Sequence, residues 1–209
     1  MLIISASNGA RTGASSRSLV VAGRLAQALG GARVVDLRDY PLRSCELCEG
    51  CAADGRCVHD DGFNELAALL AEHDELALVC PHYAGTPSRL MALLEKLEEG
   101  IYLRYCKGLP SAAPKRFGVL AHGGMTEGYA RLYAQDILVP LRNAALAMGW
   151  RPVYGGDEEA LSFGVKAYRS EPAPGSVCPA KDDDEAAADA AIAALAAAFA
   201  AARGGAAPA

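Results

Sequence analysis

Short apolar segments alternate with longer segments of helical periodicity along most of this chain. Each apolar segment is bounded by polar, glycine or proline residues, which is typical of a strand buried on both faces. The predicted strands are residues 1–4, 32–37, 75–81, 116–121 and 150–156. Between them apolar residues recur at helical spacing, as at Leu25 and Leu29 before the glycine pair 30–31. The order βαβαβαβαβα predicts an α/β fold whose parallel sheet is covered by helices on both faces.

Two of the predicted helices carry start signals. Asp60 and Asp61 precede the helical stretch "FNELAALLAEHD", at a position where free backbone N–H groups favour negative charge. Thr86 is predicted as the N-cap of the next helix, with Pro87 at its first position. Further on, a long amphipathic helix is predicted over residues 127–148.

The C-terminal part of the chain departs from this alternation. Residues 157–183, which contain several prolines, are predicted as an irregular excursion. Residues 184–203 are rich in alanine, the best helix former, and are predicted as a helix docked on the domain. Residues 204–209 are predicted to fray. The chain is therefore interpreted as a single domain over residues 1–203.

Composition and charge narrow the classes of partner. With 209 residues, 52% of them hydrophobic and 22% charged, the chain should fold as a globule. The formal net charge of -5 argues against nucleic acid, because phosphate binding requires a basic face. We expect no membrane span, since no apolar run reaches about 18 residues, and no signal peptide. These observations predict a cytoplasmic protein, in which seven cysteines suit metal or redox chemistry better than disulfides.

Three loops are candidates for ligand binding. In a doubly wound sheet, ligands bind beyond the carboxyl ends of the strands, which here selects the loops after the first, third and fourth strands. The first loop, "SASNGARTGASSRSL", offers hydroxyl groups and the N-terminus of the following helix, a combination that binds phosphate. It has neither the Walker nor the GxGxxG pattern. The alternative interpretation is an ordinary polar loop.

The other two loops offer surfaces for a flat ring. Tyr83 follows the third strand, where an aromatic ring can lie against a planar ligand, and Gly85 permits close backbone approach. In "AHGGMTEG", Gly123 and Gly124 permit the same approach, and His122 can donate to a carbonyl or a ring nitrogen. Taken singly, the tyrosine is also explained as a rim aromatic and the histidine as a surface residue.

Three segments together resemble the flavodoxin-like NAD(P)H-dependent FMN reductases, and within them the iron–sulfur flavoproteins. These segments are "SASNGARTGASSRSL", "CELCEGCAADGRCVHDDGFNEL" and "PHYAGTPSRLMALLEKL". The resemblance extends to about residue 155. It implies a flavodoxin-like, five-stranded parallel sheet with helices on both faces and FMN as the cofactor. One departure is the family's Gly-Ser-Pro-Arg opening, which is Ser-Ala-Ser-Asn here.

The resemblance also implies which residues bind FMN. The phosphate would contact Ser5, Ser7, Ser15 and Ser16, with Arg11 and Arg17 as candidates for the missing positive charge. The isoalloxazine and ribityl chain would contact Pro81, His82, Tyr83, Ala84, Gly85 and Thr86, and His122, Gly123 and Gly124 would close the far side. No catalytic side chain is assigned, because the flavin carries the chemistry.

Four cysteines form a cluster in residues 45–57. They are Cys45, Cys48, Cys51 and Cys57. Their spacing, C-x2-C-x2-C-x5-C, lets the thiolates converge on one centre and resembles iron–sulfur ligation more than the paired C-x2-C knuckles of zinc sites. Iron–sulfur flavoproteins bind a four-iron (4Fe-4S) cluster with such a loop, yet plain FMN reductases also keep cysteines there. A cluster, unoccupied thiols and zinc all stay open.

These alternatives predict different functions. FMN alone predicts an oxidoreductase that takes hydride from NAD(P)H and reduces a quinone, a free flavin or another small-molecule acceptor. FMN with a 4Fe-4S cluster predicts an electron carrier that accepts electrons from a ferredoxin-like redox protein. A zinc-stapled module without enzymatic activity is the third alternative. Because the flavin of this family lies at a subunit boundary, we expect a homodimer or homotetramer.

Overall fold

The computed structural model describes residues 1–9, 16–82, 85–110, 112–123, 130–154, 158–164, 166–172, 179–182 and 185–205. Its centre is a six-stranded sheet in which every pairing is parallel. The strands are β1 (Leu2–Ser5), β2 (Arg33–Asp36), β3 (Glu75–His82), β4 (Arg116–Gly123), β5 (Arg151–Pro152) and β6 (Ser162–Gly164). The order is β2-β1-β3-β4-β5, with β6 also paired to β4. The predicted flavodoxin-like α/β fold is thereby confirmed.

The outer edge of β4 differs from the prediction. Of the strand predicted over 150–156, whose last two residues lie outside the described part of the chain, the described residues form a strand at Arg151–Pro152, which pairs with the first two residues of β4. The other end of β4, Ala121–Gly123, pairs with β6. Two short strands therefore share one edge, and the described sheet has six strands where five were predicted. Neither segment is long enough to give a clear strand pattern in the sequence.

The burial of the three central strands explains why each of them is an apolar run in the sequence. All four residues of β1 are buried, as are seven of the eight in β3 and in β4. A strand in the middle of a parallel sheet is covered by helices on both faces, so its side chains are apolar on both. The carboxyl ends of these strands consequently meet at one edge of the sheet, where the candidate loops begin.

Helices surround the sheet. They are α1 (Arg17–Ala28), α2 (Asp61–Ala71), α3 (Ser88–Cys106), α4 (Ala130–Tyr133), α5 (Val139–Ala147) and α6 (Glu185–Gly204). A π-helical turn at Ala134–Leu138 joins α4 to α5, and 3-10 turns lie at Leu37–Asp39 and Glu158–Leu161. The long helix predicted over 127–148 therefore has a change of pitch in its middle.

One predicted helix start is confirmed and the other is wrong by one residue. The carboxylate of Asp60 caps α2 by accepting the N–H of Phe63 at 2.9 Å. Helix α3 begins at Ser88 rather than Pro87, and the cap position is Pro87, which makes no side-chain cap bond. The reason is the backbone: the ψ angle of Pro87 is 137°, so the chain is still extended there and Thr86 lies too early to cap.

The segment predicted as irregular contains strands. Besides β6, an antiparallel hairpin pairs β7 (Lys166–Pro172) with β8 (Pro179–Asp182). Prolines misled the prediction, because in this hairpin they occupy the last position of one strand and the first of the other, where proline is tolerated.

The alanine-rich helix α6 packs on the sheet as predicted. A Cβ at Gly118 would lie 2.8 Å from Leu195 Cδ1 and from Phe199 Cε2, so glycine lets the helix lie directly on β4. Within the described residues, α6 is the one helix that is long and apolar enough to cross a membrane, by length and composition alone. We had expected no such segment. The apolar face that contacts the sheet explains this composition in a globular domain.

Candidate functional site

The carboxyl end of β1 carries an unsatisfied hydroxyl. Ser5 is fully buried, and in register it lies between Asp36 of β2 and Val79 of β3. Its Oγ has no hydrogen-bond partner within the described part of the chain. A buried hydroxyl left without a partner costs about 1–3 kcal/mol. A phosphate oxygen at this edge would accept its proton, so the residue fits the predicted cofactor.

The N-terminus of α1 lies at the same edge and is open to an anion. Ser16 holds the cap position, but its side chain makes no cap hydrogen bond, and the first turn contains no acidic residue. The free N–H groups and the helix dipole favour a negatively charged ligand here. Arg17 follows, and its guanidinium lies 2.8 Å from Glu185 of α6. The arginine thus contributes to the charge near the site while also binding the C-terminal helix.

A clamp at the end of β2, which sequence reasoning missed, holds the first loop. The guanidinium of Arg38 donates to both carboxylate oxygens of Asp36 and, at 3.0 Å, to the carbonyl of Gly9. Ser7, also in this loop, accepts the N–H of Gly9 at 3.2 Å. The available signal was the pairing of β1 with β2, which brings an acidic residue next to Ser5.

The first candidate loop contacts the start of α3, the helix that follows the second candidate loop. The amide of Asn8 donates to Ser88 Oγ at 3.1 Å, which joins the first loop to the start of α3. Pro81 is buried at the end of β3, while Gly85 and Thr86 are half-buried. Gly85 has a φ of +108°, a conformation that strains any residue with a Cβ, and a Cβ there would meet open space.

The end of β4 also faces α1. His122 is buried, its Nε2 lies 2.9 Å from Ser18 Oγ, and its ring stacks on Phe163 with centroids 5.5 Å apart. A Cβ at Gly123 would lie 2.8 Å from the ring of Tyr133, so the glycine permits close packing at this edge. The histidine thus joins β4 to α1, and its contact with a flavin stays a prediction.

The remaining predicted flavin-binding residues lie outside the described residues. They are Arg11, Ser15, Tyr83, Ala84 and Gly124. Their contacts with FMN therefore stay predictions from the sequence.

The four clustered cysteines share one small cavity. Cys45, Cys48, Cys51 and Cys57 all line it, and none of them is in a disulfide. Burial raises the pKa of Cys51, and the charges of the other three thiols add to this. The chain bends sharply between them, with positive φ at Leu47.

As they stand, these thiols do not fit a metal centre. No group of three or more His, Cys, Asp or Glu side chains in the described residues has an arrangement that could hold a metal ion. The cavity has a volume of about 20 Å³, and a single water needs about 10–15 Å³. The predicted convergence of the cysteines is thus visible, while their spacing in this arrangement leaves room for little more than water.

A buried ion pair fixes the cysteine loop to α3. Lys96 Nζ donates to Asp60 Oδ2 at 2.7 Å and lies 3.5 Å from Cys57 Sγ. Burial alone would raise the pKa of Asp60, but hydrogen bonds from Lys96 and from the N–H groups of Arg43 and Phe63 outweigh it and lower that pKa. The burial of this lysine was not predicted, because charged residues on a helix are mostly exposed.

Comparison with known proteins gives a family and a shared fold. A family model described as NADPH-dependent FMN reductase matches residues 1–146. No curated protein matches the chain.

Among solved structures, one of an NADH:FMN oxidoreductase in its apo form aligns with 20% identity and a TM-score of 0.50, covering 78% of this chain and 73% of that chain. A flavone reductase aligns with 14% identity and a TM-score of 0.56, covering 98% and 65%. A flavodoxin, WrbA-like protein from Agrobacterium tumefaciens aligns with 13% identity and a TM-score of 0.52, covering 97% and 95%. At these identities the structures support the fold alone.

Proposed function

Because that family model covers more than half of it, the chain belongs to the family of NADPH-dependent FMN reductases, and we propose that it reduces a small acceptor, such as a quinone or a free flavin. The supporting observation is that the described residues which flank the candidate loops contact one another at one edge of the sheet. Asn8 joins the first loop to Ser88 of α3, and Ser18 of α1 joins His122 of β4. Ligands of doubly wound sheets bind at this edge.

The residues at this edge would bind and orient FMN. The Ser5 hydroxyl, the Ser16 hydroxyl and the free N–H groups of α1 would hold the phosphate, while the Arg38 clamp fixes the backbone of the loop around it. When bound, FMN accepts two electrons as hydride from the nicotinamide and can release them singly. The protein's part is to position the flavin and to exclude water from it.

Ser5→Ala tests the phosphate site. Because Ser5 Oγ has no partner in the described residues, its removal should leave the stability of the FMN-free protein unchanged or slightly raised. A hydrogen bond to a charged group is worth about 1.5–3 kcal/mol, so FMN should bind roughly 10- to 150-fold more weakly. Ser44→Ala, at an exposed residue, is the matched control, and binding is followed by quenching of flavin fluorescence. Unchanged FMN affinity in Ser5→Ala would contradict the proposed phosphate site.

The enzymatic part of the proposal is tested with the purified protein loaded with FMN. Anaerobic rapid mixing with NADPH should bleach the flavin absorbance, and addition of a quinone should restore it. A protein that binds FMN but shows no bleaching over minutes would favour the electron-carrier alternative. A protein that takes up no FMN would contradict both the reductase and the electron-carrier functions.

The clustered cysteines support a second candidate function, that of an iron–sulfur flavoprotein electron carrier. The supporting observation is that all four thiols line one cavity, although in the described arrangement they form no group that could hold a metal ion, so a cluster would require the thiols to move. No step of the proposed reaction depends on them. Metal analysis after anaerobic reconstitution separates the alternatives. About four irons with matching sulfide per chain indicate a 4Fe-4S cluster, one zinc indicates the stapled module, and no metal indicates free thiols.

A second copy of the chain is the proposed partner on α3. Tyr102 and Tyr105 expose 58% and 74% of their surface beside a groove of about 890 Å³, and Glu98 also lines it. If two α3 helices pair antiparallel with Tyr102 near their centre, the acidic Glu98 of one copy comes close to the exposed, basic Lys107 of the other. Tyr105→Glu should therefore shift a dimer or tetramer to monomer in light scattering, whereas an unchanged mass would place the contact elsewhere.

We also propose a cytoplasmic location. All six cysteines in the described residues are free thiols, a state that persists in a reducing compartment. The net charge of -5 supports the absence of a nucleic-acid partner.

A further inference from the structure

A histidine and an aspartate are paired at the edge of the sheet where the flavin is proposed to bind. His82 is the last residue of β3 and lies in register with Gly123, the last residue of β4. Its Nε2 lies 3.1 Å from Oδ2 of Asp136. The pair therefore joins the end of β3 to the helical segment that follows β4, and its two residues are 54 positions apart in the sequence.

The surrounding structure holds the imidazole in one orientation. Its ring packs on the buried ring of Tyr133, with centroids 5.2 Å apart and planes tilted by 50°. Asp136 lies in the π-helical turn Ala134–Leu138, which is longer by one residue than an α-helical turn. Turns of this kind are frequent at functional sites. Here the altered pitch sets the direction in which the carboxylate leaves the helix.

The second ring nitrogen is available. Within the part of the chain that the structure describes, Nδ1 of His82 has no hydrogen-bond partner, and the side chain is 16% exposed. A histidine whose one nitrogen is anchored on a carboxylate while the other is open is arranged for proton transfer. Asp136 is 47% exposed, so water reaches the far side of the pair.

We propose that His82 is the proton donor for acceptor reduction and that Asp136 is its positioning residue. This inference rests on the proposed function. Reduction of a quinone requires two electrons, a hydrogen delivered with them as hydride by the flavin, and one further proton. The N–H bond of the His82 imidazolium breaks and an O–H bond forms on the second quinone oxygen. The neutral ring then regains a proton from water, and NAD(P)H supplies the electrons for the next cycle.

The inference is tested by comparing two acceptors on the same reduced enzyme. Ferricyanide takes one electron and no proton, whereas a quinone such as menadione takes both. The FMN-loaded protein is reduced with dithionite, so the outcome does not depend on the reaction with NADPH. The measured quantity is the rate with menadione divided by the rate with ferricyanide. General acid catalysis contributes about 10²- to 10⁴-fold, so this ratio should fall by about 100-fold or more in His82→Gln. His59→Gln, at an exposed histidine, is the matched control.

A second readout does not involve turnover. In the FMN-free protein, ¹⁵N NMR of the imidazole should show His82 with its proton on Nε2, donated to Asp136, and Asp136→Asn should abolish this preference. A second expectation is that Asp136→Glu, which keeps the carboxylate, restores most of the acceptor ratio.

Two results would overturn the inference. One is a ratio of the menadione rate to the ferricyanide rate in His82→Gln that stays within about two-fold of the parent's. This includes the case in which both rates fall equally, because the ring would then only shape the flavin site. The other is a His82 tautomer that does not respond to Asp136→Asn. Failure of NADPH to bleach the flavin would overturn the proposed reductase while leaving both tests decisive. A protein that binds no FMN would overturn both proposals.

Discussion

Removal of the buried lysine of α3 gives the sharpest test of how the cysteine loop is held. In the native protein the side chains of Lys96 and Asp60 are only 4% and 1% exposed, and each is the other's charged partner. Lys96→Met keeps most of the apolar stem but leaves the Asp60 carboxylate buried without a counter-charge. Breaking such a pair from one side costs about 3–5 kcal/mol.

This loss is large on the scale of the whole domain. Domains of ordinary size are stable by about 5–15 kcal/mol, so the variant should lose about a fifth of its stability or more. For a chain of this length, 1 kcal/mol corresponds to about 2–4 °C in Tm, which predicts a fall of roughly 6–20 °C. The free energy of unfolding is measured by urea denaturation. The readout is fluorescence of Trp150, the sole tryptophan, which is buried against Phe117.

Two further variants separate charge from packing. Arg56→Met changes an exposed basic residue of the cysteine loop and should alter the unfolding free energy by less than about 0.5 kcal/mol. Adding Asp60→Asn to Lys96→Met should restore part of the loss, because asparagine still caps α2 and no charge stays buried. If Lys96→Met loses less than about 1 kcal/mol, or if the double variant recovers nothing, the buried ion pair is not what fixes the loop.

Three other changes probe the rest of the fold. Phe199→Ala should cost about 3–5 kcal/mol in urea denaturation, because α6 is part of the core; a loss below 1 kcal/mol would mean that the helix does not dock. Gly123→Ala places a Cβ 2.8 Å from the buried Tyr133 ring and should lower stability by about 1–3 kcal/mol, so an unchanged Tm would argue against this contact. Arg203→Gln should cost about 1 kcal/mol at pH 7. Hydrogen bonding by Arg203 lowers the pKa of Glu75 below its usual 4.5, so this stabilisation is present above pH 4.5 and is lost as the pH falls through the lowered pKa. In thermal melts, the Tm of Arg203→Gln should therefore lie further below that of the parent protein at pH 7 than at pH 3. An equal difference in Tm at both pH values would refute the coupling between Arg203 and the ionisation of Glu75.

Local patterns were sufficient for the framework of the fold. The apolar runs predicted the central strands because each residue of a strand in the middle of a parallel sheet is covered on both faces. Asp60 was identifiable as a cap because a cap bond spans only three residues. The candidate loops followed from the strands, since parallel strands place all their carboxyl ends at one edge.

Features that join distant parts of the chain could not be predicted in this way. The contacts of Lys96 with Asp60 and of His82 with Asp136 span 36 and 54 residues. The sequence around Lys96 and His82 does not distinguish them from exposed residues of the same type. The short strand β6 exists only because it completes the edge of β4. The sequence by itself determined the order of the central strands and helices and the edge at which we propose that a ligand binds, because the periodicity of apolar residues follows the burial of each element. The tertiary structure alone decided which charged side chains are buried and what they pair with, because that depends on which elements pack together.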